Sequence, residues 1–322
     1  MDLTTTPGTA AWVAVAAAEA APPTLPAGHA HPTACLNCDT PLTDRFCAHC
    51  GQPAATHRLT MGHLLHEIPH SIWHVDKGIF YTLRELLLRP GPTILGYLRG
   101  QRARHFAPLS LLLLVTGVAS FLAIRLRLNV IAESLNTQAS AELRAAQTNG
   151  AESVMHYLGW IYVAMSPLIG WLVRRALRRT RINLAEAMVV VLYVTAAGNL
   201  LSLLLMPLFY FVKSGAGYYR LTFCTSLAVI AYQGRAYGQL LLETILSRFG
   251  RWWRGMLTAV AAYLLVMCGA VVIMFSLNWP SFRAAMHKEI QRQEALKRSH
   301  PAVVPAPVQP PGPPPAAPVE GH

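Results

Sequence analysis

Residues 188–212 read MVVVLYVTAAGNLLSLLLMPLFYFV and contain no Asp, Glu, Lys, Arg or His. A helix needs about 20 apolar residues to cross the roughly 30 Å of hydrocarbon in a bilayer. Within lipid, every backbone N–H and C=O group must find its partner inside the segment. This stretch therefore predicts a transmembrane helix, and it decides the fold class.

Four further apolar runs accompany the first one along the chain. The run at 221–237 is the weakest, because Gly234 and Arg235 interrupt it. We predict an all-α polytopic membrane protein with about five transmembrane helices in a bundle over 106–276. The expected spans are 106–124, 154–173, 188–212, 221–237 and 256–275.

Charge is scarce and follows the ends of these runs. The chain is 53% hydrophobic and 13% charged, with a formal net charge of +12, whereas soluble domains carry about 25% charged residues. Arginines concentrate at 99–104, 174–181 and 235–254. The positive-inside rule then places the N-terminus in the cytoplasm and the C-terminus outside, in a bacterial inner membrane. Nucleic-acid binding is disfavoured, since it would need basic residues interleaved with exposed aromatics.

Two CxxC units precede the first span, at Cys35/Cys38 and Cys47/Cys50. Two such units at this spacing are typical of a site in which four thiolates hold one Zn²⁺ tetrahedrally. We predict a zinc ribbon over 31–54 with these four metal ligands and a structural Zn²⁺. A redox pair is the alternative, but it would use one CxxC in a βαβ unit. Four thiolates leave no open position for a substrate, so the site is not predicted to be catalytic.

The segment 55–105 is predicted to be cytoplasmic and amphipathic, and it contains His66-Glu67-Ile68-Pro69-His70. This matches HExxH, in which two histidines bind zinc and the glutamate is the general base. Pro69 disrupts the helix that this arrangement needs. The favoured interpretation is a surface helix with an apolar stripe. A metal-dependent hydrolase using His66, Glu67, His70 and Asp76 remains the alternative.

The two ends of the chain are predicted to be disordered. Residues 1–30 form an Ala/Thr/Pro-rich leader; a cleaved signal peptide is the alternative, although it would need a basic start. Residues 277–322 are a basic stretch, in which 282–299 could form a surface helix, followed by a proline-rich tail.

Residues 35–110 resemble an uncharacterised family of bacterial membrane proteins. The resemblance rests on CxNC…FCxxCGQ and on a later segment. In that segment the matching residues are Arg58-Leu59-Thr60, His74, Asp76, Gly78, Thr82, Leu86, Arg89-Pro90-Gly91, Tyr97-Leu98, Gly100, Arg102 and Phe106-x-Pro108. It implies an inner-membrane location and a Bacteroidetes-like source, and it carries no activity.

The functional prediction is a non-enzymatic membrane protein, and no catalytic residue is assigned. The ribbon and the juxtamembrane helix would act as a docking or assembly module whose partners are membrane lipids and a protein. A permease for a neutral or lipophilic solute is a further alternative, based on the helix breaks at Pro167 and Pro207. Ion-coupled transport is disfavoured because the span cores lack ionisable residues.

Overall fold

The computed structural model describes residues 33–56, 58–62, 78–126, 141–212, 214–241 and 246–299. The predicted leader at 1–30 and the proline-rich end at 300–322 lie outside these residues. Throughout the described part of the chain the architecture is helical, and β-structure is limited to two isolated bridges in the cysteine segment. The helices are α1 Ile79–Leu88, α2 Pro90–Leu98, α3 Pro108–Arg125, α4 Ala141–Ala176, α5 Leu184–Leu205, α6 Gly215–Gln239 and α7 Arg248–Ser299.

Four stretches among the described residues are helices long and apolar enough to cross a membrane. They are Pro108–Arg125, Ala141–Ala176, Leu184–Phe211 and Arg248–Leu296. This agrees with a multi-pass membrane protein. The predicted fourth span is a helix, α6, but it is more polar than these four, so the predicted count of five is not confirmed by length and composition.

Helix α5 is the centre of the bundle. Its side chains from Val189 to Val194 are all buried, and it packs against α3, α4 and α6. It begins at Leu184, earlier than predicted, because Asn183 and Glu186 form a capping box at its N-terminus. A 3₁₀ segment, Met206–Phe211, follows and contains Pro207.

Helix α6 crosses α7 at very short range. A Cβ atom on Gly255 of α7 would overlap Gly234 of α6 and lie 2.7 Å from the backbone nitrogen of Gly238. Gly234 and Gly238 are four residues apart, the spacing that lets membrane helices approach closely. Gly234, which the sequence analysis took as an interruption of the span, is therefore part of a helix–helix contact.

Helices α4 and α7 are much longer than the predicted spans. Helix α4 has 36 residues and α7 has 52, so α7 is about 78 Å long. No helix break occurs at residue 276, since α7 continues to Ser299. The added halves of the two helices contact each other, with Lys288 Nζ 3.2 Å from Glu142 Oε1.

Helices α1 and α2 lead into the first span. Helix α1 ends at Leu88. Pro90 begins α2, since proline is well suited to the first helical position. A short segment, residues 99–107, joins α2 to α3; we name it the arginine loop after Arg99, Arg102 and Arg104.

Candidate metal centre

The cysteine segment contains the same local structure twice. Each half closes with one bridge, Ala34 to Pro41 and Phe46 to Pro53. The Cys35 amide donates to the Thr40 carbonyl, and the Cys47 amide donates to the Gln52 carbonyl, both at 2.9 Å. We name residues 34–41 the first knuckle and residues 46–53 the second knuckle.

Each knuckle turns on one residue with positive φ, and the two residues occupy equivalent positions. Asp39 has φ 58° and Gly51 has φ 74°. Glycine adopts this conformation freely, and aspartate is one of the few other residues that tolerate it. The turn brings the two cysteines of each knuckle to one side.

The four predicted metal ligands meet in space. The Cys35 and Cys50 sulfurs are 3.5 Å apart, as are those of Cys38 and Cys47, and all four lie within 4.8 Å of one another. They form no disulfide. Four thiolates around one Zn²⁺ at 2.3 Å would stand about 3.8 Å apart. The donor set and its geometry therefore fit a tetrahedrally bound metal ion.

The surroundings of the four thiols are not equivalent. The Thr40 hydroxyl lies 3.2 Å from the Cys38 sulfur, and hydrogen bonds from the side chain and backbone of Thr40 lower the pKa of Cys38 to about 5. Burial raises the pKa of Cys50 to about 11. Cys38 is therefore more readily held than Cys50 as the thiolate, the form that ligates a metal.

Gln52 connects the second knuckle to the arginine loop. Its side-chain amide donates to the Gly100 carbonyl at 2.8 Å. Its oxygen accepts from the backbone amides of Arg102 and Ala103, each at 3.0 Å. Gln52 is only 3% exposed. A single buried side chain thus satisfies three backbone groups of the loop that leads into α3.

The tip of the first knuckle also rests on this loop. Gly100 has φ 104°, and a Cβ atom there would lie 2.7 Å from Leu36 Cδ1. Arg104 donates to the Asn37 carbonyl at 3.1 Å. The tip of the second knuckle faces away, since Phe46 is 61% exposed and Ala48 and His49 are also exposed.

The arginine loop is held equally firmly by the helices beneath it. The Phe106 amide donates to Thr82 Oγ1 of α1 at 2.8 Å, and its carbonyl accepts from the Tyr193 hydroxyl of α5 at 2.7 Å. His105 Nδ1 donates to the Gln101 carbonyl at 2.6 Å, and burial lowers the pKa of His105. The loop therefore joins the ribbon, α1 and α5.

A second connection follows the ribbon. Arg58 donates to both oxygens of Glu186 at 2.7 and 2.9 Å. Glu186 is 1% exposed, and a buried carboxylate requires such a partner. Asn183 donates to the Leu59 carbonyl at 2.9 Å. Residues 58–59 are thus fixed to the N-terminus of α5.

Residues 76–119 match the model of a family described as a protein of unknown function (DUF3667). This agrees with a resemblance to an uncharacterised family over the part that the match covers; the motifs quoted for the resemblance, including CxNC…FCxxCGQ outside the match, and the Bacteroidetes-like source stay predictions. No curated protein and no solved structure matches the chain.

The residues that carry the resemblance perform structural tasks within the matched segment. Gly78 allows close approach, since a Cβ atom there would lie 2.8 Å from the Arg104 carbonyl oxygen. Thr82 binds the arginine loop. Tyr97 packs edge to face on Tyr193, with ring centroids 5.2 Å apart. The pattern describes how this loop is built and supported.

The predicted hydrolase residues His66, Glu67, His70 and Asp76 lie outside the described residues, so the structure does not test them. Among the residues that it does describe, the four cysteines form the only cluster of three or more potential metal-ligating His, Cys, Asp or Glu side chains. Gln52 is the last residue of the FCxxCGQ motif, but its role in holding the arginine loop was not predicted. One signal for it was available: the two knuckles align at a spacing of 12 residues, with Thr40 and Gln52 in equivalent places.

Proposed function

We propose that this chain is a non-enzymatic membrane protein whose ribbon binds a structural Zn²⁺ and serves as a cytoplasmic docking or assembly module. The observation that carries the proposal is the Gln52 contact with the arginine loop. It fixes a metal site with four protein ligands to the point where the chain reaches the first span. A closed four-thiolate site is structural rather than catalytic.

The exposed side chains of the second knuckle support the proposal that a protein partner binds there. The first knuckle is occupied by contacts within the chain, whereas Phe46 and His49 of the second knuckle are exposed. An exposed aromatic side chain on a rigid support is typical of a protein-binding contact. We propose that a protein partner binds the second knuckle and that the Gln52 contact transmits its position to the bundle.

We also propose five spans in a bacterial inner membrane, with the N-terminus inside. The support is that α6 lies beside both α5 and α7. Its C-terminal end contacts α2 through a hydrogen bond between Gln239 and the Gly91 amide, at 2.9 Å, and contacts the beginning of α7 at Arg251. If α5 and α7 both cross from the same side, α6 must return between them.

Site-specific photo-crosslinking in cells tests the docking proposal. A photoreactive residue placed at Phe46 should give a protein adduct that disappears when Cys47 is replaced by serine. The same residue at Leu36, which faces the arginine loop, is the matched control and should give no adduct with another protein. Identical adduct patterns at the two positions, or no adduct at Phe46, would contradict the proposal.

A further inference from the structure

A cavity of about 140 Å³ lies inside the bundle, between α4, α5, α6 and α7. It is well above the roughly 10–15 Å³ that holds one water molecule. Its polar lining comes from all four helices and includes Tyr162, Thr195, Asn199, Gln233, Tyr237 and Tyr263.

Tyr237 is the strongest indication of a ligand. Tyr237 is 1% exposed and lines the cavity. No hydrogen bond joins its hydroxyl to another described residue, and the hydroxyl is not among the fully enclosed atoms without a partner, so it faces the open space of the cavity. A buried hydroxyl without a partner costs free energy. Because Tyr237 borders the cavity, a molecule in the cavity can supply the missing partner.

The opposite wall is held in position by hydrogen bonds between helices. Asn199 donates to Thr116 Oγ1 at 2.7 Å and accepts from the Tyr162 hydroxyl at 3.3 Å. Gln233 has space because residue 198 is glycine; a Cβ atom there would lie 2.5 Å from Gln233 Nε2. The amides of Asn199 and Gln233 are thus fixed on α5 and α6.

The chemistry of the lining selects the class of ligand. Among the described residues, no charged side chain borders the cavity, and an ion would need a compensating charge or coordinating carboxylates at this depth. Hydroxyl and amide groups can both donate and accept hydrogen bonds. They complement an uncharged molecule whose own groups donate and accept hydrogen bonds in several directions.

We propose that this cavity binds a small uncharged polyol. The proposal is independent of the metal ribbon and of its docking role, because the cavity residues and the ribbon share no contact in the described chain. Tyr237 and Gln233 are the residues that would bind the hydroxyl groups directly, while Tyr162 positions Asn199.

Saturation-transfer difference NMR on the purified full chain in nanodiscs tests the proposal. Erythritol is the probe, and erythronate, its carboxylate counterpart, is the charged comparison. Magnetisation should pass from the protein to erythritol and not to erythronate. Tyr237→Phe and Gln233→Leu should each weaken erythritol binding about fivefold, as loss of one net hydrogen bond predicts.

Tyr210→Phe is the matched control, since Tyr210 is 84% exposed and remote from the cavity lining; it should bind like the unmodified protein. Tyr237→Phe removes one oxygen atom and decides the question if Gln233→Leu fails to fold. If magnetisation passes from the protein to neither erythritol nor erythronate, the cavity holds only water, and the proposal is overturned. Equal transfer to both probes, or unchanged binding in Tyr237→Phe, would also overturn it.

Discussion

The two knuckles share one backbone design and perform different tasks. Asp39 and Gly51 provide the same turn, and each knuckle contributes two of the four cysteines. The residue after the turn then diverges: Thr40 points inward to the Cys38 sulfur, whereas Gln52 points outward to the arginine loop. Both knuckles contact the arginine loop, the first through Leu36 and Asn37 and the second through Gln52, so the two differ in what the residue after the turn contacts.

Loss of a buried cysteine should have the largest effect of all on metal content, and the effect should be the same in either knuckle. Cys35→Ser and Cys47→Ser should each reduce bound metal from about one ion per chain to nearly none, because structural zinc supplies about 10–16 kcal/mol to domains of this kind. Elemental analysis of the purified protein checks this. Cys224→Ser is the control, since Cys224 lies in α6, and it should keep full occupancy. Retention of metal by either ribbon variant would contradict a four-cysteine site.

Replacement of Gln52 should separate anchoring from metal binding. Gln52→Ala removes the hydrogen bonds of Gln52 to the Gly100 carbonyl and to the Arg102 and Ala103 amides. The Arg102 amide and the Gly100 carbonyl keep their bond to each other, whereas loss of the partner of the Ala103 amide costs about 1–3 kcal/mol if that amide stays buried. We expect full metal content but much faster tryptic cleavage after Arg102 and Arg104, measured by mass spectrometry. Cleavage rates equal to those of the unmodified protein would show that Gln52 does not hold the loop.

Replacement of Thr40 should produce the opposite pattern. Thr40→Val keeps the shape and removes the hydroxyl that lowers the pKa of Cys38. Because protons compete with metal for the thiolate, acid release of the metal should shift to higher pH, while tryptic cleavage of the arginine loop stays unchanged. Metal release measured between pH 7 and pH 4 checks this. A changed cleavage rate would indicate that Thr40 also supports the arginine loop, contrary to this expectation.

Gly51→Asp should have the smallest effect, because it copies the residue that the first knuckle uses at the same position. Asp39 already adopts φ 58°, and a Cβ atom on Gly51 meets nothing within 4 Å. We expect a stability loss below about 1 kcal/mol, measured by thermal unfolding of the metal-bound protein. Gly51→Val should lose clearly more, since a β-branched residue is strained at positive φ; equal losses would argue against the equivalence of the knuckles.

The sequence alone predicted the features that depend on residues close together in the chain. The four cysteines meet as predicted because their spacing alone defines the two turns. The apolar runs located the helices because burial in lipid demands long apolar stretches. Helix bounds shifted where a cap or a proline acts: Asn183 moved the start of α5, and Pro108 set that of α3.

The sequence did not predict the features that depend on contacts between residues far apart in the chain. Gln52 and the arginine loop are about 50 residues apart, and no pattern in one chain connects them. Helix α6 was hard to classify for the same reason, since Gly234 weakens an isolated span but strengthens a helix crossing. The continuation of α7 to Ser299 depends on its contact with α4, which hydropathy does not report.

Amide hydrogen exchange of the full chain in nanodiscs, before and after removal of metal with a chelator, addresses the link between the ribbon and the arginine loop most directly. If the metal-bound ribbon holds the loop through Gln52, the Ala103 amide, which donates to Gln52, should be protected with metal and should exchange rapidly without it. Gln52→Ala should exchange rapidly in both states. Protection that persists after the metal has been removed would mean that the arginine loop keeps its structure without the metal-bound ribbon, which would contradict the proposed link between them.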